Sequence, residues 1–204
     1  MSKPCTGKRD IPFKIGFDLE VIVRDKDGKV IMHKKGVSHS YLENFLRILR
    51  CLFTGLDETL TNRDGNSVTI TKSDLQNLES LAPEGTIDYG IVASNEDNVI
   101  DCGMYTITGI ILHGDEDNKL HYYDTGASNV TCQGGECSWY WNRDMKNFGA
   151  VDITIKTIAV YVKIGTSYFL IFATDVSDAL GSDVTVPSGA TVTWHVKMKI
   201  PCTP

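Results

Sequence analysis

From Thr191 onward apolar and polar residues alternate without a fault. Val192, Trp194, Val196, Met198 and Ile200 fall on one side, and Thr191, Thr193, His195, Lys197 and Lys199 on the other. A period of two marks a strand with one face in a core and one in water. Val184-Thr185-Val186 runs just before it. Pro187-Ser188-Gly189-Ala190, between the two, supplies the preset φ and the permissive φ of a tight turn. The chain therefore closes on a hairpin. Residues 13–35 show the same period, with Leu19, Val21 and Val23 on the way out and Val30 and Met32 on the way back. Asp25-Lys26-Asp27-Gly28 forms their turn.

The period changes at residues 38–55, SHSYLENFLRILRCLFTG. Leu42, Phe45, Leu46, Leu49, Leu52 and Phe53 recur at spacings of three and four, which predicts an amphipathic helix near residues 41–54. Ser40 with Glu43 three residues later predicts a capping box. Arg47 and Arg50 suit the C-terminal half of the dipole, and Gly55 is the stop. One apolar stripe is what packing on a sheet requires; a partner-binding helix is the alternative.

Downstream the pattern is β again. A second Asp-Gly turn in TNRDGNSVTIT precedes a short strand, and residues 74–84 hold about one helical turn closed by Pro83. Then come TIDYGIVAS, MYTITGIIL, KLHYYDT, SWYWN, AVDITIKTIAVYVKI and SYFLIFATD, each bounded by turn formers. In DITIKTIAVYVKI the alternation through Ile153 and Ile155 slips and resumes at Ile158, Val160, Val162 and Ile164, which predicts a β-bulge at Lys156-Thr157. The elements predict a mainly β, antiparallel β-sandwich, jelly-roll-like forms included, with one edge helix. Residues 1–37 form an N-terminal arm and hairpin, and residues 38–204 the sandwich domain.

A chain of 204 residues with 42% hydrophobic and 23% charged residues can bury one sizeable core. Its formal net charge of −6 argues against binding nucleic acid by phosphate neutralisation, and against an anionic membrane surface. No apolar run is long enough to span a bilayer. The first residues lack the apolar core of a secretory signal, so synthesis in a reducing compartment is expected. On that basis Cys5, Cys51, Cys102, Cys132, Cys137 and Cys202 are expected to be mostly unpaired thiols. A Cys132–Cys137 bridge, a Cys5–Cys202 bridge tying the termini, and a metal site are the alternatives.

Catalytic chemistry is thin. His33, His39, His113, His121 and His195 belong to no metal-binding or catalytic spacing. No Ser lies in a nucleophile elbow, so no catalytic, cofactor-binding or metal residue is assigned and no cofactor is expected. The acidic loops 95–98 and 115–118 are expected to be solvated, with calcium at the second as the minority reading. Trp139, Tyr140 and Trp141, with Tyr122 and Tyr123 upstream, form an aromatic patch. Core packing, a subunit interface and a carbohydrate platform compete for it. In a strand, Trp139 and Trp141 share one face and Tyr140 takes the other.

The order of segments, closing on ITIKTIAVYVKI, then YFLIFATDV, then VTVPSGATVTWHVKMKI, resembles a group of virion structural proteins of tailed phages and related prokaryotic viruses. Many of these close on a stretch like "LLARDV…PVTVPAGGTLTVTYTI", preceded by a strand like "ITVKEIGLY". The resemblance implies a capsid-associated, vertex or tail component without catalysis. Its expected partners are copies of itself and other virion proteins, with a host-surface glycan as a further candidate. It implies localisation in the virion and no catalytic residues. A carbohydrate- or receptor-binding module using Trp139 and Trp141 is the competing function.

Overall fold

The computed structural model describes residues 15–38 and 42–201. In chain order the elements are β1 (Gly16–Arg24), β2 (Val30–Ser38), α1 (Glu43–Thr54), β3 (Glu58–Thr61) and β4 (Ser67–Ile70). A 3-10 turn (Asp74–Asn77) leads to β5 (Leu78–Glu79) and β6 (Gly90–Ser94). Then follow β7 (His121–Ala127), β8 (Thr131–Gln133), β9 (Glu136–Lys146), β10 (Ile153–Ile155) and β11 (Thr157–Ile164). The last elements are β12 (Ser167–Asp175), α2 (Val176–Leu180), β13 (Val184–Val186) and β14 (Thr191–Pro201).

Every ladder between these strands is antiparallel, and two main sheets form a β-sandwich. The first runs β2-β1-β14-β9-β7, with β8 also on β9; in the second β11 pairs with β12 on one side and with β5 and β6 on the other. Period two explains the first sheet. Phe17, Leu19, Val21 and Val23 of β1 and Val192, Trp194 and Val196 of β14 are buried. They share one core cluster with Ile158, Val160, Phe169, Ile171 and Phe172 of the second sheet, and the Phe17 and Phe172 rings sit 4.9 Å apart. Each such side chain contributes about 1.5–3 kcal/mol on full burial. The β1–β2 hairpin is thus part of the sandwich, and a boundary at residue 37 does not separate it from the rest. The proposed arm before it lies outside the described residues.

The second sheet is buried on both faces. Ala159, Tyr161, Leu170 and Ala173 form a second cluster with Leu42, Ala82, Tyr89, Val92 and Ile107. This is why β11 and β12 are nearly continuous apolar runs rather than alternations. The cover comes largely from the long connection between β6 and β7. The MYTITGIIL segment, expected as a strand, belongs to it and forms only the isolated bridge Ser94↔Ile110. Side chains satisfy its backbone instead: Ile107 N donates to the Tyr161 hydroxyl (3.0 Å), and Thr108 N to Asn98 Oδ1 (2.8 Å).

The slip at Lys156-Thr157 is not a bulge within one strand. The chain changes partners there, from β10 on β13 to β11 on β12 and β6. Lys156 N donates to Ser94 O (2.9 Å), and Lys156 O accepts from Val176 N (2.7 Å).

Helix α1 ends as expected on Gly55 in the left-handed region, but its start and its buried face differ from the pattern. Ser40 lies outside the described residues, and the N-cap is Leu42, with no side-chain cap. Leu42 N reaches Ile171 O (3.3 Å) and Glu43 N reaches Cys102 O (2.8 Å), so tertiary carbonyls satisfy these early donors. The buried face is Asn44, Phe45, Ile48 and Cys51. Asn44 turns inward because its amide pairs with both backbone groups of Thr61 (2.9 and 3.2 Å), docking the helix on β3. Leu46, Leu52 and Phe53 are rotated outward, Phe53 to 80% exposure.

Candidate functional site

The aromatic patch is divided between two faces of β9. Trp141 is 3% exposed, and its Nε1 donates to Ser80 Oγ at 2.9 Å. Trp139 leans on it edge-to-face, with centroids 4.1 Å apart, as a partly buried member of the core. Tyr122 is fully buried, its hydroxyl donating to Ile111 O at 2.9 Å, and burial raises its pKa. Tyr123 lies against His121, with ring centroids 4.9 Å apart and the planes tilted by 52°. Tyr140 stands on the open face of the first sheet, beside His195 at 4.9 Å between rings.

That open face holds a candidate site. A groove of about 600 Å³ is lined by Asp18, Glu20, Lys35, Tyr140, His195 and Lys197 among others. Strand register assembles it. Glu20 lies opposite His195 on β14 and Lys35 on β2, while Lys197 lies between Asp18 and Tyr140. Glu20 Oε1 is 2.7 Å from His33 Nε2 and 3.1 Å from Lys35 Nζ. Burial pushes the Glu20 carboxyl up, but these two partners outweigh it and hold the carboxyl below its ordinary value. Burial lowers the pKa of His195 against the opposing pull of Glu20 and Asp144, which favours the neutral imidazole. Asp18 Oδ1 faces Lys199 Nζ at 2.6 Å, as an ion pair rather than a well-directed hydrogen bond. The groove thus offers alternating charges, an imidazole whose neutral form is favoured, and two aromatic residues, Trp139 and Tyr140. That inventory suits binding a polar, uncharged or zwitterionic ligand.

A second surface is apolar. Leu46, Leu52 and Phe53 of α1, with Leu56 after it, are exposed by 47%, 47%, 80% and 54%. Beside them Glu58, its side chain only 3% exposed, is held by Arg47 (3.2 Å) and by Arg50. The two arginines therefore neutralise a buried carboxylate rather than only the helix dipole.

The acidic loops are internally engaged. Asp97 pairs with Lys156 (2.7 Å), and Glu96 accepts from Thr108 Oγ1 (2.6 Å). Glu116 pairs with Lys119 (3.1 Å), and Asp117 accepts from Ala150 N (2.6 Å). Asp115 lies 2.7 Å from His121 Nδ1, and Glu84 lies 2.7 Å from His121 Nε2 on the other side. Among the described residues no three or more His, Cys, Asp or Glu side chains are placed to hold a metal ion together.

The cysteines depart from the expectation of free thiols. Cys132 and Cys137 form a disulfide, Cys102 is also disulfide-bonded, and Cys51 is a free, buried thiol. Cys5 and Cys202, named for a terminal bridge, lie outside the described residues, as does His39. The signal for the Cys132–Cys137 pairing, an alternative to the free thiols first expected, lies in TCQGGEC. Gly134 and Gly135 at φ 62° and 80° make a two-residue hairpin turn, so the two cysteines are register partners with Cα atoms 4.0 Å apart.

Arg143 carried no signal that its pattern could reveal. It occupies an inward position of β9 between Trp141 and Met145 and is 0% exposed. Its Nε donates to Tyr123 O (2.8 Å), Nη1 to Ile91 O (2.9 Å), and Nη2 to Thr86 O (2.7 Å) and Pro83 O (3.3 Å). The guanidinium lies 4.9 Å from the Tyr122 ring. Burial lowers its pKa to about 10, so it stays charged at neutral pH.

Together these features define a layered antiparallel β-sandwich with a mixed-charge groove on one sheet and an apolar helix surface at its side. No protein-family model, no curated protein and no solved structure matches this chain.

Proposed function

We propose that the protein is a structural component of a virus particle that works through contacts between its own copies and with other particle proteins. The observation that supports this best is the outward apolar row of α1, Leu46, Leu52 and Phe53, continued by Leu56. A helix that has already buried Phe45 and Ile48 gains nothing within one chain from displaying a second apolar side. Covered by a second copy, that side removes apolar area from water, and edge strand β2 with exposed Val30, Ile31 and Val37 is a further contact region. The resemblance of the closing segments to virion proteins supports the same reading.

Native mass of the purified chain tests it. A homo-oligomer is expected, reduced to monomer by Leu46→Ser combined with Phe53→Ser. A wild-type chain that stays monomeric at high micromolar concentration overturns the reading.

A carbohydrate- or receptor-binding module is the second reading, favoured by the groove at Tyr140 and His195. Of the two tryptophans first considered for it, Trp141 is buried, whereas Trp139 is partly buried and lines the groove. Glycan-array binding lost in Tyr140→Ala supports it, and an array without signal removes it.

A further inference from the structure

We propose that Asn129 is an acceptor for N-linked glycosylation. Asn129-Val130-Thr131 has the acceptor pattern Asn-x-Thr, with a residue other than proline in the middle. Such a tripeptide modifies only where the amide can be reached, and the fold decides that here.

Ser128 N donates to Tyr140 O (2.9 Å), and Thr131 lies opposite Ser138. Between these two points β9 has one residue, Trp139, whereas the facing chain has two, Asn129 and Val130. The extra residue is expelled as a bulge. Asn129 and Thr131 are exposed, and Val130 is 66% exposed. The Asn129 carbonyl accepts from Ser128 Oγ (3.1 Å), while its side-chain amide makes no hydrogen bond among the described residues. Immediately after the tripeptide, the Cys132–Cys137 disulfide closes the β8–β9 hairpin, so the bulge projects from a stapled base.

The cysteines supply the second, independent line. Among the described residues Cys102, Cys132 and Cys137 are in disulfides, and the one free thiol, Cys51, is 0% exposed. Disulfides persist in oxidising surroundings, which is also where N-linked transfer takes place. An exposed acceptor beside an oxidised hairpin matches that setting on both counts.

The co-reactant is an oligosaccharide carried on a lipid-linked phosphate. Asn129 Nδ2 forms a bond to the anomeric carbon of the first sugar, the bond from that carbon to the phosphate oxygen breaks with its electron pair going to the departing lipid phosphate, and one amide proton passes to water. No electron transfer is involved.

The test has two arms. The full chain is passed through the secretory route of an N-glycosylating cell, and its intact mass and the peptide containing Asn129 are measured. Saccharide mass on that peptide is expected, removable by peptide N-glycosidase with conversion of Asn129 to aspartate. Asn129→Gln and Thr131→Ala should lose it almost completely, Thr131→Ser should keep it, and circular dichroism should show all three folded. In the second arm the same peptide is examined in protein from its native source, and the modification is expected there too. An unmodified Asn129 in either arm overturns the proposal, and neither arm depends on whether the chain assembles.

Discussion

Replacing Arg143 by Met is the sharpest test of how this sandwich is held together. Met keeps most of the volume and removes every donor. The carbonyls of Thr86, Tyr123 and Ile91, which accept at 2.7, 2.8 and 2.9 Å, then face the core without a partner. At about 1–3 kcal/mol for each unsatisfied group the gross loss is about 3–9 kcal/mol. Removing the guanidinium also removes its own desolvation cost, several kcal/mol, which offsets roughly half. The net expectation is about 1.5–4.5 kcal/mol of destabilisation, or roughly 3–18 °C in Tm for a chain of this size. Chemical denaturation at neutral pH measures the energy. Hydrogen exchange supplies a local readout, since amides of residues 82–91 should lose protection before those of β1 and β14. Arg143→Lys should recover only part, because an ammonium cannot span carbonyls on three sides. A Met variant within about 1 kcal/mol of wild type, with the 82–91 amides still protected, refutes the reasoning.

Three further outcomes follow from the same geometry. Burial alone would lower the His121 pKa, but the Asp115 and Glu84 carboxylates outweigh it and raise the pKa above the ordinary 6.5. A raised folded-state pKa gives stability that is complete below about pH 6.5 and lost as pH rises through the folded value. Tm should therefore fall over that window in wild type and not in His121→Gln; the carboxylates are 57% and 65% exposed, so the difference should stay under about 1 kcal/mol. The groups facing this ring, His113 and Tyr123 included, must be allowed for by comparing His113→Gln. Gly36→Ala should cost about 1–3 kcal/mol by thermal denaturation, because the added Cβ would overlap the Ala179 carbonyl of α2 and meet Leu180 Cδ2 at 3.1 Å. A neutral result would mean that α2 does not rest on β2. Cys132→Ser with Cys137→Ser should lower stability by about 2 kcal/mol at most, for so short a ring. Exchange of the Thr131–Ser138 amides should quicken, and unchanged rates would remove the hairpin staple.

The strands that alternate were legible from the residues alone, because burial on one face imposes a period of two whatever the partner is. β1 and β14 are of this kind, and so is the stop of α1 at Gly55, where a left-handed residue is required locally. The division of Trp139 and Trp141 from Tyr140 followed from the same rule. Of the groove, the sequence showed the aromatic residues Trp139 and Tyr140 but not their neighbours. Glu20, Lys35 and His195 meet only because β1 pairs with both β2 and β14, which are far apart in the chain.

Where two environments compete, the tertiary structure decided. The apolar stripe on α1 allowed more than one buried face, and the bond from Asn44 to Thr61 chose the one that leaves Phe53 in solvent. MYTITGIIL has the composition of a strand, yet Tyr161 and Asn98 offer its amides nearer partners than another strand does. Arg143 is the extreme case. By residue type it belongs in water, and what places it in the core is a ring of carbonyls from Pro83, Thr86, Ile91 and Tyr123 that no local pattern encodes. Local periodicity fixes which residues can share a face. Which face is buried, and which polar group is allowed inside, depends on partners that only the folded chain brings together.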